Sequence, residues 1–432
     1  MRVKRLFTPL EIECKCKHWR FLTGFSRFLI WSIVLSTCTP VFAKSIEEEI
    51  AELKARIMQL EEKLVQQEEK TKAIEEIKEA FEGFSFGGGA TFVLQGTHNA
   101  NATSAENEDV TDASYSIDLE IEKVFKEVDG RAFMHLETGQ GAGVEDELTV
   151  FSNVNRDANT DTNLRIAEVY YEQNLLDKKL ALTFGKLDPT VYLDTNAYAN
   201  DETNQFLGRI FRNSPTIEFP DNSFGLRFGL TSVEFFDIEL GIFDADADWE
   251  DVFDSVFFGS QINLKPKFFR REGNYRILGW LNDRNHIKWL DTTKDKEKGY
   301  GFGISFDQEL TDNLGCFLRY GWQNPKVYLT GTSFSLEHAW STGLQIKGGI
   351  WGRDDDVFAI AFGQVIPSDD YKKANSVKAD SEEHLEAYYS FKVNDHLTLS
   401  PDLQVIWDPY GGDATNGDKT IVVGGIRGQV DF

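Results

Sequence analysis

Ser114-Tyr-Ser-Ile-Asp-Leu-Glu-Ile-Glu122 alternates without a break: Tyr115, Ile117, Leu119 and Ile121 fall on one side, Ser116, Asp118, Glu120 and Glu122 on the other. Successive side chains of an extended strand point to opposite faces, so this segment has one apolar face and one hydrated face. A soluble sandwich can contain one such strand. Here the period of two returns in Phe224/Leu226/Phe228/Leu230, Phe236/Ile238/Leu240/Ile242 and Tyr300/Phe302/Ile304/Phe306. It returns again in Leu397/Leu399/Pro401/Leu403/Val405/Trp407. Turn signals such as Asp129-Gly130, Thr311-Asp-Asn313 and Lys392-Val-Asn-Asp395 separate the runs. Counting the runs predicts an all-β fold over residues 84–432, an antiparallel transmembrane β-barrel of about sixteen strands.

The end of the chain keeps the same period. Val422, Gly424, Ile426, Gly428, Val430 and Phe432 share one face, with Arg427, Gln429 and Asp431 on the other. A final aromatic after alternating apolar residues resembles the signal read by the outer-membrane insertion machinery. Composition agrees: 34 Phe and 35 Gly against 3 Met suit strands between lipid and water better than a packed α/β enzyme. With 45 Lys and Arg against 71 Asp and Glu, the chain is strongly acidic, which excludes nucleic acid as a partner.

Upstream of residue 84 the period becomes helical. Ile50, Ile57 and Leu64 take position a of a heptad, and Ile46, Leu53 and Leu60 take d. Gln67 and Thr71 continue the seam as polar layers before Ile74 restores it. Residues 44–83 are therefore expected to form a periplasmic coiled-coil stalk, the alternative being a lone amphipathic helix lying on the barrel. Ile at a with Leu at d leans towards two strands, whereas porin barrels are commonly trimers; a homo-oligomer is expected, with the trimer favoured by that analogy. The first 43 residues read as an export signal. Basic Arg2, Lys4, Arg5, Lys15, Lys17, Arg20 and Arg27 precede the apolar run 28–36, and Val41-Phe-Ala43 supplies a cleavage site. Cleavage there would remove Cys14, Cys16 and Cys38 and leave Cys316 without a disulfide partner.

The longest stretch without strand periodicity inside the barrel lies at 188–222, and loops of that length usually have a function. Tyr192, Leu193, Tyr198, Phe206, Leu207 and Phe211 give it apolar content, so it can fold into the lumen and narrow it. Asp188, Asp194, Asn196, Asn200, Asp201, Glu202, Gln205, Arg209 and Arg212 are then candidates for the pore constriction. The alternative is an external loop over the barrel mouth. By strand parity Arg227, Arg319 and Arg427 point into the lumen, because an arginine facing lipid at the midplane costs about 2–4 kcal/mol. They are candidates either for one wall of a transverse field opposite the loop carboxylates or for structural salt bridges. Trp280, Trp322, Trp340 and Trp407 read as interfacial girdle residues.

At this loop a family resemblance emerges. Gly185-Lys-Leu-Asp-Pro189, Asp194-Thr-Asn-Ala-Tyr-Ala-Asn-Asp-Glu-Thr203, Gln205-Phe206, Glu386-Ala-Tyr-Tyr389, the segment 399–409 and the ending 425–432 resemble the carbohydrate-selective porins of the OprB type. The resemblance implies a sixteen-stranded porin of the outer membrane of a Gram-negative bacterium, passing monosaccharides and similar small polar solutes. Members with a coiled coil also resemble channels proposed for siderophore uptake, so the stalk leaves the solute open. A third reading makes the barrel an anchor that tethers the outer membrane to the cell wall.

Enzymatic chemistry has little to stand on. The seven histidines show no HExxH spacing. No cofactor is expected. Asp244-Ala-Asp-Ala-Asp-Trp-Glu-Asp251 begins as a calcium loop would, but has Trp249 where an EF-hand needs Gly and Ser255 where it needs Glu. No specific metal site is expected there or at Asp354–Asp356. A solvated external loop, bridged to lipopolysaccharide by divalent ions, fits better.

Overall fold

The computed structural model describes residues 45–432 apart from 104, 106, 107 and 269, so the expected export signal lies outside the described residues. The chain divides into a helical unit ending at Ala80 and a second unit from Phe81 to Phe432.

The helical unit is one 35-residue helix, α1 (Ile46–Ala80). Ser45 and Glu48 start it reciprocally: the Glu48 N–H donates to Ser45 Oγ and the Ser45 N–H to Glu48 Oε2, both at 3.2 Å. This capping box satisfies two orphan donors of the first turn. Glu47, Glu48 and Glu49 at the start and Lys78 at the end match the helix dipole. The apolar seam is exposed within a single chain, with Ile50, Leu53, Ile57, Leu60 and Leu64 between 47% and 60% accessible.

The second unit is a closed antiparallel barrel. Its strands are β1 (Phe84–His98), β2 (Asp109–Phe125), β3 (Gly130–Gln140), β4 (Arg165–Leu175), β5 (Leu180–Leu187) and β6 (Ser223–Val233). Next come β7 (Phe236–Asp244), β8 (Val256–Leu264), β9 (Lys267–Phe268), β10 (Arg271–Lys288), β11 (Glu297–Thr311) and β12 (Leu314–Gln323). The last are β13 (Val327–Leu329), β14 (Leu336–Lys347), β15 (Val357–Pro367), β16 (Glu382–Asn394), β17 (Leu397–Trp407) and β18 (Ile421–Asp431). β9 and β13 are stubs of two and three residues, which leaves sixteen wall strands. The first and last strands pair, from Gly89 opposite Asp431 to His98 opposite Val422, and close the wall. A closed wall satisfies every strand edge inside a bilayer.

The barrel inverts the burial of a soluble protein. Phe92, Leu94, Phe184, Leu226, Ile277, Phe302 and Ile426 are exposed, while Thr91, Gln95, Ser116, Thr183, Gln261, Ser305 and Gln404 are buried. Apolar groups face outwards to lipid and polar groups inwards, as in outer-membrane barrels. Outward aromatic groups join Tyr300, Phe302 and Trp322, and Trp340, Phe362 and Trp407. Trp280 corrects the girdle expectation: it is 4% accessible and stacks on Phe257 in an inner apolar cluster with Leu193. Its strand parity is that of Leu278 and Asn282, which are also buried.

Connections at the two barrel ends differ in length. β2–β3, β4–β5, β6–β7, β11–β12 and β16–β17 are joined by four residues or fewer. The opposite end carries the long segments 141–164 and 188–222. Short periplasmic turns and long extracellular loops are the usual asymmetry of these barrels.

Candidate functional site

Segment 188–222 turns into the lumen. Leu193, Ala199, Phe206, Leu207, Ile210 and Phe211 are each at most 2% accessible. All but Leu207 pack in two apolar clusters with inward residues of the wall, Phe206 and Phe211 against Phe317 and Tyr388, and Leu193 against Phe257 and Trp280. A buried loop must find partners for its backbone polar groups. Wall side chains supply them. Gln261 accepts from the Asp194 N–H at 2.8 Å, Asp307 from the Ala197 N–H at 3.2 Å, and Glu386 from the Leu207 and Gly208 N–H groups at 2.6 and 2.8 Å. Gly208 permits that last approach, since a Cβ there would lie 2.7 Å from Glu386 Oε2.

Two arginines do the converse. Arg319, 1% accessible, donates to the carbonyls of Phe211, Asp194 and Ala199 at 2.7, 3.0 and 2.9 Å and pairs with the Asp194 carboxylate at 3.2 Å. Arg427 donates to the carbonyls of Glu202 and Gln205, both at 2.7 Å. A guanidinium has five donors and no acceptor, so it can hold several carbonyls at once.

The second loop, 141–164, packs beside the first. The Arg209 guanidinium meets Glu145 at 2.9 Å, the Arg209 N–H donates to the Asn153 carbonyl and the Arg156 N–H to that of Leu207. Glu382 accepts from the Phe151 and Ser152 N–H groups, and Gln404 donates to the Val154 carbonyl. The two loops thus fill the side of the lumen next to β8, β11, β12, β16 and β17. A cavity of about 880 Å³ remains on the other side, along β18 and β1–β5. Eleven carboxylates and four Lys or Arg line it, with no Phe, Tyr or Trp among them. An acidic cavity attracts cations and repels anions.

The model of the carbohydrate-selective porin, OprB family, matches residues 103–432. The chain belongs to that family. Fold comparison agrees: this OprB-family barrel superposes on the high-pH structure of Pseudomonas putida OprB with a TM-score of 0.68, at 16% identity over 81% of this chain and 94% of that one. The outer membrane channel DcaP of Acinetobacter baumannii gives 0.52 at 13% identity, over 81% and 97%. In sequence, an uncharacterized protein of Aquifex aeolicus (strain VF5) is 27% identical over 253 residues, 59% of this chain and 67% of its own length. The OprB-family chain is an outer-membrane porin, a channel and not an enzyme.

Of the twelve candidate residues, Asp188, Asn200, Asp201, Glu202 and Arg212 line this cavity of the OprB-family barrel. Asp188 is held by its own backbone N–H on Glu168 and accepts from the Thr190 N–H; Arg212 pairs with Glu202. The others are arranged beneath or within the loops. Asn196 donates to Ser305 Oγ, Gln205 accepts from the Asn200 and Asp201 N–H groups, and Arg209 joins the two loops. Arg227 pairs with Glu239 at 2.7 Å and Glu172 at 3.3 Å across the wall. Arg227, Arg319 and Arg427 are each buried and committed to wall carboxylates or loop groups, and so is Asp194. The residues that sequence reading missed are Asp118, Glu120 and Glu137 on β2 and β3, and Asp157 and Asn159 on the second loop. Parity had already placed Asp118 and Glu120 on the wet face; the length of 141–164 was the unused signal for Asp157 and Asn159.

Asp157, on the loop and outside the spanning strands, is one titratable group of this cavity. Burial pushes its carboxyl up to about 8, with Glu202 and Asp118 adding repulsion and the Ser116 hydroxyl, donating at 2.9 Å, opposing it. It is neutral below that pH and anionic above it, so each chain gains one passage charge as pH rises through about 8. Reversal potentials should shift towards cation preference across this range, and Asp157→Asn should remove that step. A pH profile identical in the variant would assign the titration elsewhere.

Proposed function

We propose that this cavity is the passage for passive diffusion of small neutral polyhydroxylated solutes, monosaccharides foremost. The supporting observation is its lining, mostly polar and free of Phe, Tyr and Trp. Carboxylates, amides and hydroxyls can replace water around sugar hydroxyls one by one, so the solute exchanges hydration for wall contacts at little net cost. Without an aromatic track there is no stacking to hold the sugar, which favours transit over retention. The acidic lining also disfavours anionic ferric chelates, the main rival cargo.

The test is swelling of proteoliposomes in isotonic monosaccharide, trisaccharide and an anionic ferric chelate. Fast monosaccharide entry with slow entry of the other two is expected. Equal entry of all three would make this a general pore, and preferential chelate entry would reverse the assignment.

The helix supports a second part of this proposal. Its seam, exposed in one chain, would be covered by self-association into a periplasmic stalk, as a trimer by analogy with porin barrels. A peptide of residues 45–82 should then oligomerise as its concentration rises in analytical ultracentrifugation, and Leu53→Asp with Leu60→Asp should leave it monomeric. A wild-type peptide that stays monomeric near ~1 mM would leave the helix without a partner of its own kind.

A further inference from the structure

The connection between β7 and β8 is acidic. From Asp244 to Ser255 it carries Asp244, Asp246, Asp248, Glu250, Asp251 and Asp254 and no Lys or Arg. Three of these, Asp244, Asp246 and Asp248, each place a carboxylate oxygen within 4.8 Å of the other two. Among the described residues they form the one such group of three or more.

Acidic clusters on surfaces are common and mean little alone. This one differs because its innermost member is not on the surface. Asp244 is 0% accessible, and its Oδ2 has no hydrogen-bond partner. Its other oxygen accepts only a long bond, 3.4 Å, from the Phe253 N–H. Asp246 Oδ1 is also enclosed without a donor. Buried carboxylate oxygens are normally satisfied, and one left bare calls for a cation or a proton.

We propose that Asp244, Asp246 and Asp248 bind one calcium ion on the loop face of the barrel. The ligands are all hard carboxylate oxygens, and oxygens each 2.3–2.6 Å from a central Ca²⁺ can be no more than about 5 Å apart. The observed spacing meets that limit. Magnesium demands stricter octahedral geometry at shorter distance and gives up its water reluctantly, so it fits less well. Exposed Asp248 leaves the outer side open to water ligands. The ion would supply the positive charge that the loop's own sequence lacks. It would also fix a turn whose Trp249 and Phe253 rest against Phe224 at the start of β6. The resemblance to a calcium loop fails after its first five positions, which is why the sequence argued against a site. The folded chain places the three carboxylates together without the missing Gly and Glu.

Trp249 provides the probe. Tb³⁺, a calcium surrogate, bound at Asp244–Asp248 should be sensitised by that indole in the full chain in detergent. A saturable signal displaced by Ca²⁺ and not by Na⁺ is expected. Asp248→Asn, exposed and safe for folding, should weaken Ca²⁺ competition roughly tenfold, and Asp244→Asn should remove the site. Trp249→Phe should lose the luminescence while Ca²⁺ still protects the loop from proteolysis. No saturable signal up to about 10 mM would overturn the site, since extracellular calcium modules bind more tightly than that. A signal indifferent to Asp244→Asn and Asp248→Asn would equally overturn it, placing the ion in the diffuse charge of the surface.

Discussion

Deleting residues 196–207 will raise single-channel conductance several-fold and admit sugars that the intact protein excludes. That stretch carries Asn200, Asp201 and Glu202 on the passage and Ala199 and Phe206 in the apolar packing that holds the loops against β12 and β16. Without it the lumen opens towards the full width of a sixteen-stranded barrel, wide enough for an aqueous channel. Monosaccharide flux should rise modestly, because small solutes already pass. Flux of trisaccharides should rise far more, because only they feel the narrowing. Cation preference should fall as well, with two carboxylates removed. Planar-bilayer conductance and swelling rates check this together; a correctly inserted deletion protein with unchanged conductance would put segment 188–222 outside the conduction path.

Arg319→Met will cost about 3–5 kcal/mol, the usual penalty for removing one partner of a buried ion pair. The variant leaves Asp194 buried without its countercharge and three loop carbonyls without a donor. The loop should detach intermittently, seen as new open-channel noise and a lower unfolding temperature. Adding Asp194→Asn to Arg319→Met should recover part of the loss, since no uncompensated charge then remains. Additive losses in the double variant would show that the two side chains do not act as a pair.

The barrel was legible in the sequence because lipid and water impose their pattern on every strand locally. Ser114–Glu122 displays it within nine residues, and β6, β7, β11 and β17 repeat it. The inward direction of Arg227, Arg319 and Arg427 followed from the same parity. What those arginines do did not follow. Arg319 reaches Asp194 across 125 positions and Gln404 reaches Val154 across 250, and no local period encodes such pairs. The length of 188–222 pointed to the lumen, yet five of its nine candidates line the passage while the rest secure the loops. Trp280 was misread for a related reason: indole is at home both at a membrane interface and in an inner packed cluster, and only its neighbours distinguish the two.

The pairing of β1 with β18 has a consequence for how the molecule forms. Each of its ten register pairs joins residues more than 320 positions apart. Such contacts come at the extreme end of contact order, and the entropy of closing the chain must be met before they give anything back. Until the two strands meet, every partly built sheet presents two bare edges, which are templates for joining another chain. Assembly in the periplasm is therefore a race between closure and aggregation. Helpers that shield strand edges, or a bilayer that gathers the hairpins, should speed closure more than any local stabilisation of a single hairpin could.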